Sequence, residues 1–367
     1  MHTSKHQLKN YEINFPLERI APLDKILFLD IETTGLRASN SRLYMIGLVY
    51  YTDGIWTIEQ KMTQSSSEEK ELLHWLAQTL PIFTHIIHFN GDHFDVPFLT
   101  QKANEYSVKL QFEHCEGIDI YKRIRPFKDL LILPDCRQKT IEQFLGINRV
   151  DKYSGGELIQ IYLAYEFSRS KEMQDLLLQH NYDDMKGMLD IISVLAYSEL
   201  CLTSVQVTKV ELQRTQNVNG QKVLALCMSL KLPFSVPKKL FAHYDGNYIS
   251  ISEKKALLKV PVYESELKFF YANYKDYYYV PVLDAAYHKS IACQIDSSMR
   301  TQATPSNCYT RKNGFFLKQY DILVEPFFKS EYKDTVTYFE ITEETKTNRL
   351  LFSNYSRHIL QTIISHY

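Results

Sequence analysis

The chain has 367 residues, of which 45% are hydrophobic and 23% are charged, and its formal net charge is -1. This length predicts two domains, each able to bury its own core, and the composition is typical of a globular protein. No apolar run is long enough to cross a bilayer and residues 1–20 lack a secretory signal, which favours a cytoplasmic protein without a membrane partner. The six cysteines form no CxxC pair, so neither a zinc site nor a disulfide framework is predicted.

The charge is divided unevenly along the chain. Residues 1–200 hold 21 Lys and Arg against 28 Asp and Glu, a net of -7, whereas residues 201–367 hold 21 against 15, a net of +6. A basic half beside an acidic half would suit a polyanionic partner, because the second half could attract phosphates that the first repels. A solvated surface with dispersed charges explains the same numbers, so both interpretations stay open.

The predicted elements start with residues 1–23, an N-terminal arm that either packs on a domain or stays loose. Residues 24–200 alternate short apolar runs with helical patterns, which predicts an α/β domain. Three strands come first, ILFLD, RLYMIGLVYY and IWTIEQKM, with a turn at Asp53-Gly54 before the third. A helix from Ser67 to Leu80, a strand HIIHFN, and helices around 96–106, 140–145, 156–167 and 172–200 follow.

Residues 201–367 have a different texture, in which short β-type runs are separated by Asn-Gly, Asp-Gly and Pro. They predict a second domain, β-rich or α+β, which holds 15 Tyr and 10 Phe. In ELKFFYANYKDYYYVP, Lys268 and Lys275 are interleaved with aromatic residues. This pattern fits a nucleic-acid-binding surface or the packed face of a sheet, and a protein partner is the alternative occupant of such a surface.

Acidic residues follow the first and the fourth predicted strands. Asp30 and Glu32 lie two residues apart at the exit of ILFLD, so both side chains point to one face, where an acidic pair calls for a hard cation such as Mg²⁺ or Mn²⁺. Asp95 follows HIIHFN and begins a helix whose first turn holds Pro97. A solvent-exposed strand end would explain the first pair, and a simple N-cap would explain Asp95.

A third acidic segment, HNYDD, lies in the last long predicted helix. His180 and Asp184 are one turn apart on the face that continues through Met188 and Ile191 to the core, whereas Asp183 points elsewhere. A histidine at the inner edge of a helix is commonly a hydrogen-bonded structural group, which is the alternative to a catalytic role.

These segments together resemble the three exonuclease motifs of the DEDD superfamily. DIETTGL is similar to the first motif, HFNGDHFDVPFL to the B-family polymerase form of the second, and HNYDD to the third. Within the superfamily, residues from about 24 to 200 resemble the YprB-type ribonuclease-H-like domain of bacteria, a predicted exonuclease group, and KTIEQFLGINR and SGGELIQIY resemble its connecting segment. The resemblance implies an α/β fold in which a mixed ribonuclease-H-like sheet is flanked by helices.

The resemblance implies a 3′-to-5′ exonuclease acting on the 3′ end of DNA or RNA with two Mg²⁺ or Mn²⁺ ions. It implies the metal ligands Asp30, Glu32, Asp95 and Asp184, the base His180, and the substrate contacts Thr33, Thr34, Asn90 and Phe94, the last also a packing residue. In the family, either a His five residues before the last Asp or a Tyr four residues before it is the general base. Here His180 lies four residues before Asp184, and this departure puts the identity of the general base in doubt. The alternatives are a structure-selective endonuclease of the same class and an inactive nucleic-acid-binding or scaffolding module.

Overall fold

The computed structural model describes residues 1–149, 153–202, 205–216 and 220–367. It divides into two compact units. The first unit consists of Met1–Glu199, Phe234–Lys238 and Tyr367, and the second consists of Leu200–Pro233 and Lys239–His366. Within the described ranges, no helix has the length and apolar character needed to cross a membrane.

A mixed six-stranded sheet forms the centre of the first unit. Its strands are β1 (His2–Leu8), β2 (Ile26–Thr33), β3 (Leu43–Thr52), β4 (Ile55–Met62), β5 (His85–His88) and β6 (Glu116–Asp119). They are ordered β1-β4-β3-β2-β5-β6, with β5 parallel to β2 and β6, and the other neighbours antiparallel. The predicted mixed sheet is therefore confirmed, and residues 2–8 of the predicted arm pair with β4 along its length.

Helices accompany this sheet. They are α1 (Glu69–Thr79), α2 (Asp95–Glu105), α3 (Ile120–Ile124), α4 (Gln138–Leu145), α5 (Gly155–Ser168), α6 (Lys171–Ile191) and α7 (Leu195–Leu202). Short 3-10 helices lie at Leu17–Arg19, Leu23–Lys25, Ala38–Asn40, Ser66–Glu68, Leu80–Ile82, Phe112–His114, Arg125–Phe127 and Ile192–Val194. The prediction of one continuous helix over 172–200 is wrong, because the 3-10 turn at Ile192–Val194 separates α6 from α7.

Two buried clusters cover the faces of the sheet, because alternate residues of a strand point to opposite sides. One cluster joins Leu29 and Ile31 of β2 to residues of α1 and α2 such as Leu73 and Leu99. The other joins Tyr44 and Met62 to residues of α5 and α6. Since Leu29 and Ile31 face α1 and α2, the intervening Asp30 and Glu32 face α6.

The second unit is built on antiparallel sheets, which confirms the β-rich prediction. Its elements are β7 (Gln206–Gln216), β8 (Lys222–Tyr244), β9 (Asn247–Phe270), β10 (Tyr277–Val280), β11 (Ala285–His288), α8 (Lys289–Ala292), β12 (Thr301–Gln302), β13 (Tyr309–Gln319), β14 (Thr337–Glu340), α9 (Glu343–Thr347) and α10 (Arg349–Ile364), with 3-10 turns at Tyr274–Asp276 and Ser297–Met299. One sheet is ordered β14-β13-β9-β8-β7, and the other β11-β10-β12. The short runs predicted from the sequence are longer in the structure, where β8 has 23 residues and β9 has 24.

The aromatic segment of the second unit contributes to its packing. The rings of Tyr271, Tyr274, Tyr277 and Tyr279 pack against a small cluster of buried residues. Lys268 lies on β9, where its Nζ is 2.7 Å from a carboxylate oxygen of Glu331 and 4.9 Å from the ring centre of Tyr309. The charge of Lys268 is therefore locally compensated.

Candidate active site

The acidic residues singled out in the sequence come from three elements. Asp30 and Glu32 lie on β2, which continues beyond the predicted end at Asp30 to Thr33. Asp95 is the first residue of α2 and is buried. Asp184 and His180 lie one turn apart on α6, which packs against β2. The structure thus brings the segments DIETTGL, FDVPFL and HNYDD together at one end of β2.

Asp30 belongs to a row of residues that crosses three strands. It is paired with Gly47 of β3, and Gly47 is paired with Gln60 of β4. Because Gly47 has no side chain, the side chain of Asn181, on α6, can occupy the space above Gly47 in this row. A Cβ atom on Gly47 would lie 2.4 Å from Asn181 Oδ1, a distance that real side chains do not tolerate.

Asn181 links the two ends of this row through its side-chain amide. Its Nδ2 donates to Asp30 Oδ2 at 2.8 Å, and its Oδ1 accepts from Gln60 Nε2 at 3.0 Å. Gln60 Nε2 also donates to the backbone carbonyl of Leu178 at 2.8 Å. Both amide side chains are fully buried, so the chain of hydrogen bonds holds the Asp30 carboxylate in one orientation.

Glu32, His180 and Asp184 form the part of the site that is more open to solvent. His180 Nε2 lies 3.1 Å from Asp184 Oδ2 and 3.9 Å from Glu32 Oε1. The possible ligand atoms of these three residues all lie within 4.8 Å of one another, as a shared metal ion requires. Tyr44, on β3, donates its hydroxyl to Glu32 Oε2 at 3.4 Å.

A basic residue also lies at the site. Arg149 Nη1 is 2.6 Å from Asp184 Oδ1, and Arg149 Nε is 3.5 Å from Glu142 Oε2 on α4. Arg149 lies outside the three acidic motifs, at the end of the segment KTIEQFLGINR, and was not predicted as a residue of the site. The positive charge of the guanidinium offsets part of the negative charge of Asp184.

The loop before Asp95 is held by a second group of polar residues. The Asp119 carboxylate, at the end of β6, accepts the backbone N–H groups of Asn90 at 2.9 Å and Asp92 at 3.2 Å. The buried His88 lies with Nδ1 3.7 Å from Asp119 Oδ2 and Nε2 3.5 Å from Asp92 Oδ1. Asp95 itself accepts the backbone N–H of Ile31 at 3.2 Å, which ties α2 to β2 beside Asp30.

Burial and mutual repulsion raise the pKa of three carboxyl groups. Burial, followed by the charges of Asp95, Glu32 and Asp184, raises the pKa of Asp30 well above its usual value. Burial raises the pKa of Glu32 to about 7, although His180 opposes the shift. Burial also raises the pKa of Asp95 to about 7. Without a cation, these groups therefore bind protons more readily than ordinary carboxyl groups.

The pKa values of Asp184 and His180 are shifted in the directions expected for an ion pair. Burial by itself would raise the pKa of Asp184, but His180 and Arg149 lower it below its usual value. Burial by itself would lower the pKa of His180, but the hydrogen bond to Asp184 and the charges of Asp184 and Glu32 raise it. The two residues consequently stabilise each other's charged forms.

A family model of the ribonuclease H superfamily matches residues 27–196. These residues form a ribonuclease H-like domain. The predicted resemblance is thereby confirmed for this part of the chain, and it supports a nuclease-type function. No curated protein matches the chain at a significant level.

Solved structures similar to the chain include nucleic-acid enzymes. The family B DNA polymerase from Pyrobaculum calidifontis has 12% identity and a TM-score of 0.39, with 70% of this chain and 35% of the polymerase covered. Exonuclease I of E. coli in a complex with single-stranded DNA has 12% identity and a TM-score of 0.27, with 56% and 54% covered. Exonuclease I from Methylocaldum szegediense has 10% identity and a TM-score of 0.30, with 56% and 54% covered. This chain spans between about a third and just over half of their lengths.

The predicted substrate contacts have varied surroundings in the ribonuclease H-like domain. The hydroxyl of Thr33 donates to the carbonyl of Gly35 at 2.8 Å, and that of Thr34 accepts the backbone N–H of Arg42 at 2.9 Å. Asn90 has a positive φ of 60°. The Phe94 ring lies 5.7 Å from that of Phe98, against the core cluster of α1 and α2. Their contact with a substrate stays a prediction.

Proposed function

We propose that the ribonuclease H-like domain is a divalent-metal-dependent 3′-to-5′ exonuclease. The observation that carries the proposal is the convergence of Asp30, Glu32, Asp95 and Asp184 from three separate elements. Three of these carboxyl groups have a raised pKa, which is costly for a folded protein unless a cation or a proton neutralises them.

The donor set fits Mg²⁺ or Mn²⁺, which prefer carboxylate oxygens. In the proposal, Asp30, Glu32, Asp95 and Asp184 would hold two ions. The ions would supply a nucleophilic water and charge stabilisation for the leaving oxygen. Asn181 keeps one Asp30 oxygen hydrogen-bonded and leaves the other available as a ligand.

His180 is proposed to orient or deprotonate the attacking water. Its Nε2 lies beside both Asp184 and Glu32, at the solvent-accessible side of the cluster. In the hydrolysis the water oxygen bonds to phosphorus, the bond from phosphorus to the 3′ oxygen breaks, and that oxygen takes up a proton. The products are a nucleoside 5′-monophosphate and a strand that is one nucleotide shorter and ends in a 3′ hydroxyl.

The remaining assignments of the proposal concern the substrate. Asn90, Thr33 and Thr34 are proposed to lie near the terminal nucleotide, because they flank Asp95 and Glu32 in the chain. Phe94 is proposed as a packing residue, which agrees with its position against Phe98. Nucleic acid, as DNA or RNA, is the proposed partner.

The direct test incubates the purified chain with end-labelled single-stranded and double-stranded DNA and RNA, in Mn²⁺ and in EDTA. The label is placed at the 5′ end in one series and at the 3′ end in the other. An exonuclease of the proposed polarity releases a labelled mononucleotide at once from the 3′-labelled strand and shortens the 5′-labelled strand stepwise. Internal fragments from both series would instead favour the endonuclease alternative.

A matched pair of variants connects this activity to the site. Asp184→Asn removes a proposed ligand, whereas Asp183→Asn makes the same change at the neighbouring position, where the carboxylate accepts from Gln179 at 2.8 Å. We expect Asp184→Asn to lose at least about a hundredfold in rate and Asp183→Asn to keep its rate. If neither wild-type nor variant proteins degrade any of the substrates, the inactive-module alternative replaces this proposal.

A further inference from the structure

A basic groove lies on the second unit, over strands β7, β8 and β9. Its volume is about 500 Å³. Four lysines line it, Lys231 and Lys239 on β8 and Lys254 and Lys255 on β9, and none of the described residues in its lining is Asp or Glu. All four lysines are exposed. The groove therefore presents a positive charge that its own lining does not offset.

These four lysines differ from others in the same unit. Lys268 and Lys312 have carboxylate partners at 2.7 Å and 2.6 Å, contributed by Glu331 and Glu340. In the part of the chain that the structure describes, no carboxylate oxygen lies within 4.0 Å of the groove lysines, and the ammonium of Lys239 lies 4.8 Å from the Phe241 ring centre. Like charges gathered without counter-charges repel one another, so an anion placed among them would be attracted.

Two irregularities of the backbone shape the groove. The register between β7 and β8 shifts between Val207 and Lys209, which displaces Thr208 from the regular pairing. On β9, Glu253 has a positive φ of 51° and interrupts the strand alternation, so that the adjacent Lys254 and Lys255 both line the groove. A left-handed residue other than glycine costs on the order of 1 kcal/mol, and such bulges commonly re-aim side chains at binding sites.

Hydroxyl groups and a small apolar floor complete the lining. Ser229, Ser250 and Ser252 contribute hydroxyls, and the buried Leu230 lies among them. The hydroxyl of Thr208 donates to the backbone carbonyl of Ser229 at 3.0 Å. Hydroxyl and ammonium groups are the usual donors to phosphate oxygens. Arginine and aromatic side chains, the groups that stack on bases, are absent from the described residues of the lining. The groove thus offers contacts to a phosphate backbone without a means to distinguish bases.

We propose that this groove binds the phosphodiester backbone of a nucleic-acid strand, independently of base sequence. The assignment rests on the proposed nuclease function for its choice of polyanion. In this proposal, the residues of 201–367 that attract phosphates are Lys231, Lys239, Lys254 and Lys255. The segment around Lys268 does not have this role.

Binding is measured with the full chain in EDTA, so that hydrolysis does not interfere, by fluorescence anisotropy of labelled dT20 and rU20 between 50 and 200 mM NaCl. The test variant replaces the four groove lysines by alanine. Each phosphate contact contributes about 0.7 to the slope of log affinity against log salt for a single strand, so the slope should fall by up to about 3. At 50 mM NaCl the affinity should fall by on the order of a hundredfold.

Two controls separate the groove from general charge. Lys275→Ala with Lys333→Ala removes two exposed lysines of the same unit outside the groove, and Lys254→Ala with Lys255→Ala removes two from within it. The first pair should bind as the wild type does, and the second should lose about tenfold. All variants should unfold within a few degrees of the wild type, because exposed lysines contribute little to stability.

The outcomes are distinct. Unchanged binding by the quadruple variant at every salt concentration, or an equal loss in the Lys275 and Lys333 pair, overturns the proposal. Retained oligonucleotide binding with lost binding of labelled poly-glutamate also overturns it and assigns the groove to an acidic protein. A wild type that binds through the groove but hydrolyses no substrate would contradict the proposed nuclease activity and leave the groove assignment supported.

Discussion

Substitution of Gly47 by alanine tests the row that joins Asp30, Asn181 and Gln60. Propensity alone predicts that alanine stabilises a strand by about 0.5 to 1 kcal/mol relative to glycine. The structure predicts the opposite sign, because the new Cβ would lie 2.4 Å from Asn181 Oδ1 and 2.9 Å from Met185 Cγ. Asn181 cannot retreat without weakening its hydrogen bonds to Asp30 and Gln60.

The expected loss can be estimated from these contacts. Overpacking of a buried site costs about 1 to 3 kcal/mol, and a weakened hydrogen bond to a charged group adds about 1.5 to 3 kcal/mol. Gly47→Ala should therefore lower the free energy of unfolding by several kcal/mol in a urea titration. It should also weaken Mn²⁺ binding by at least about tenfold in calorimetry, because the Asp30 carboxylate loses its fixed orientation.

Gly156→Ala is the matched control for this change. Gly156 lies in α5, and among the described residues no heavy atom outside its chain neighbours and its own helix backbone lies within 4 Å of a Cβ added there. Alanine at this helical position should raise the free energy of unfolding by up to about 1 kcal/mol and leave Mn²⁺ binding unaltered. A Gly47→Ala protein that is as stable as the wild type and binds Mn²⁺ equally well would refute the role given to the row.

Three further predictions follow from the site and from the second unit. Asp30→Ala or Asp95→Ala should reduce the rate of hydrolysis at least about a hundredfold and abolish the Mn²⁺-induced rise in melting temperature, and a preserved rise would argue against these ligands. His180→Ala should cost about 10² to 10⁴ in turnover, with Mn²⁺ affinity nearly unchanged by calorimetry, whereas normal turnover would assign His180 a structural role. Burial lowers the pKa of His358, whose Nε2 accepts the backbone N–H of Tyr320 at 3.0 Å, so the folded state favours the neutral ring. Stability from this group is present above about pH 6.5 and is lost as the pH falls towards the lowered pKa. His358→Gln should therefore flatten the pH dependence of the urea midpoint between pH 7.5 and 5, and an unchanged dependence would show that His358 does not contribute.

Elements with a clear periodicity of hydrophobic residues could be predicted from the sequence. The alternation in ILFLDIET fixes which face Asp30 and Glu32 share, and the turn at Asp53-Gly54 fixes the pairing of β3 with β4. The fold of residues 27–196 was also accessible through the three motifs, because their order and spacing are specific.

Contacts between distant parts of the chain could not be predicted in this way. Asn181 lies within HNYDD, but nothing local shows that it would bond to Asp30, 151 residues earlier. Gln60 appears as one polar residue of an alternating strand, and its burial depends on α6 lying above it. Arg149 ends the segment KTIEQFLGINR, but nothing in this segment shows that its side chain would lie beside Asp184, because that contact depends on tertiary packing.

The contact between Arg149 and Asp184 bears on how metal ions would load. Because a guanidinium already lies 2.6 Å from this carboxylate, an ion that entered the proposed metal site would have to replace this positive charge beside Asp184. Exchange for Na⁺ or K⁺ brings no gain in charge, whereas a divalent ion doubles the attraction to the acidic cluster. In the proposed metal site the arginine would thus favour divalent over monovalent ions, and without a metal its charge offsets part of the negative charge of Asp184.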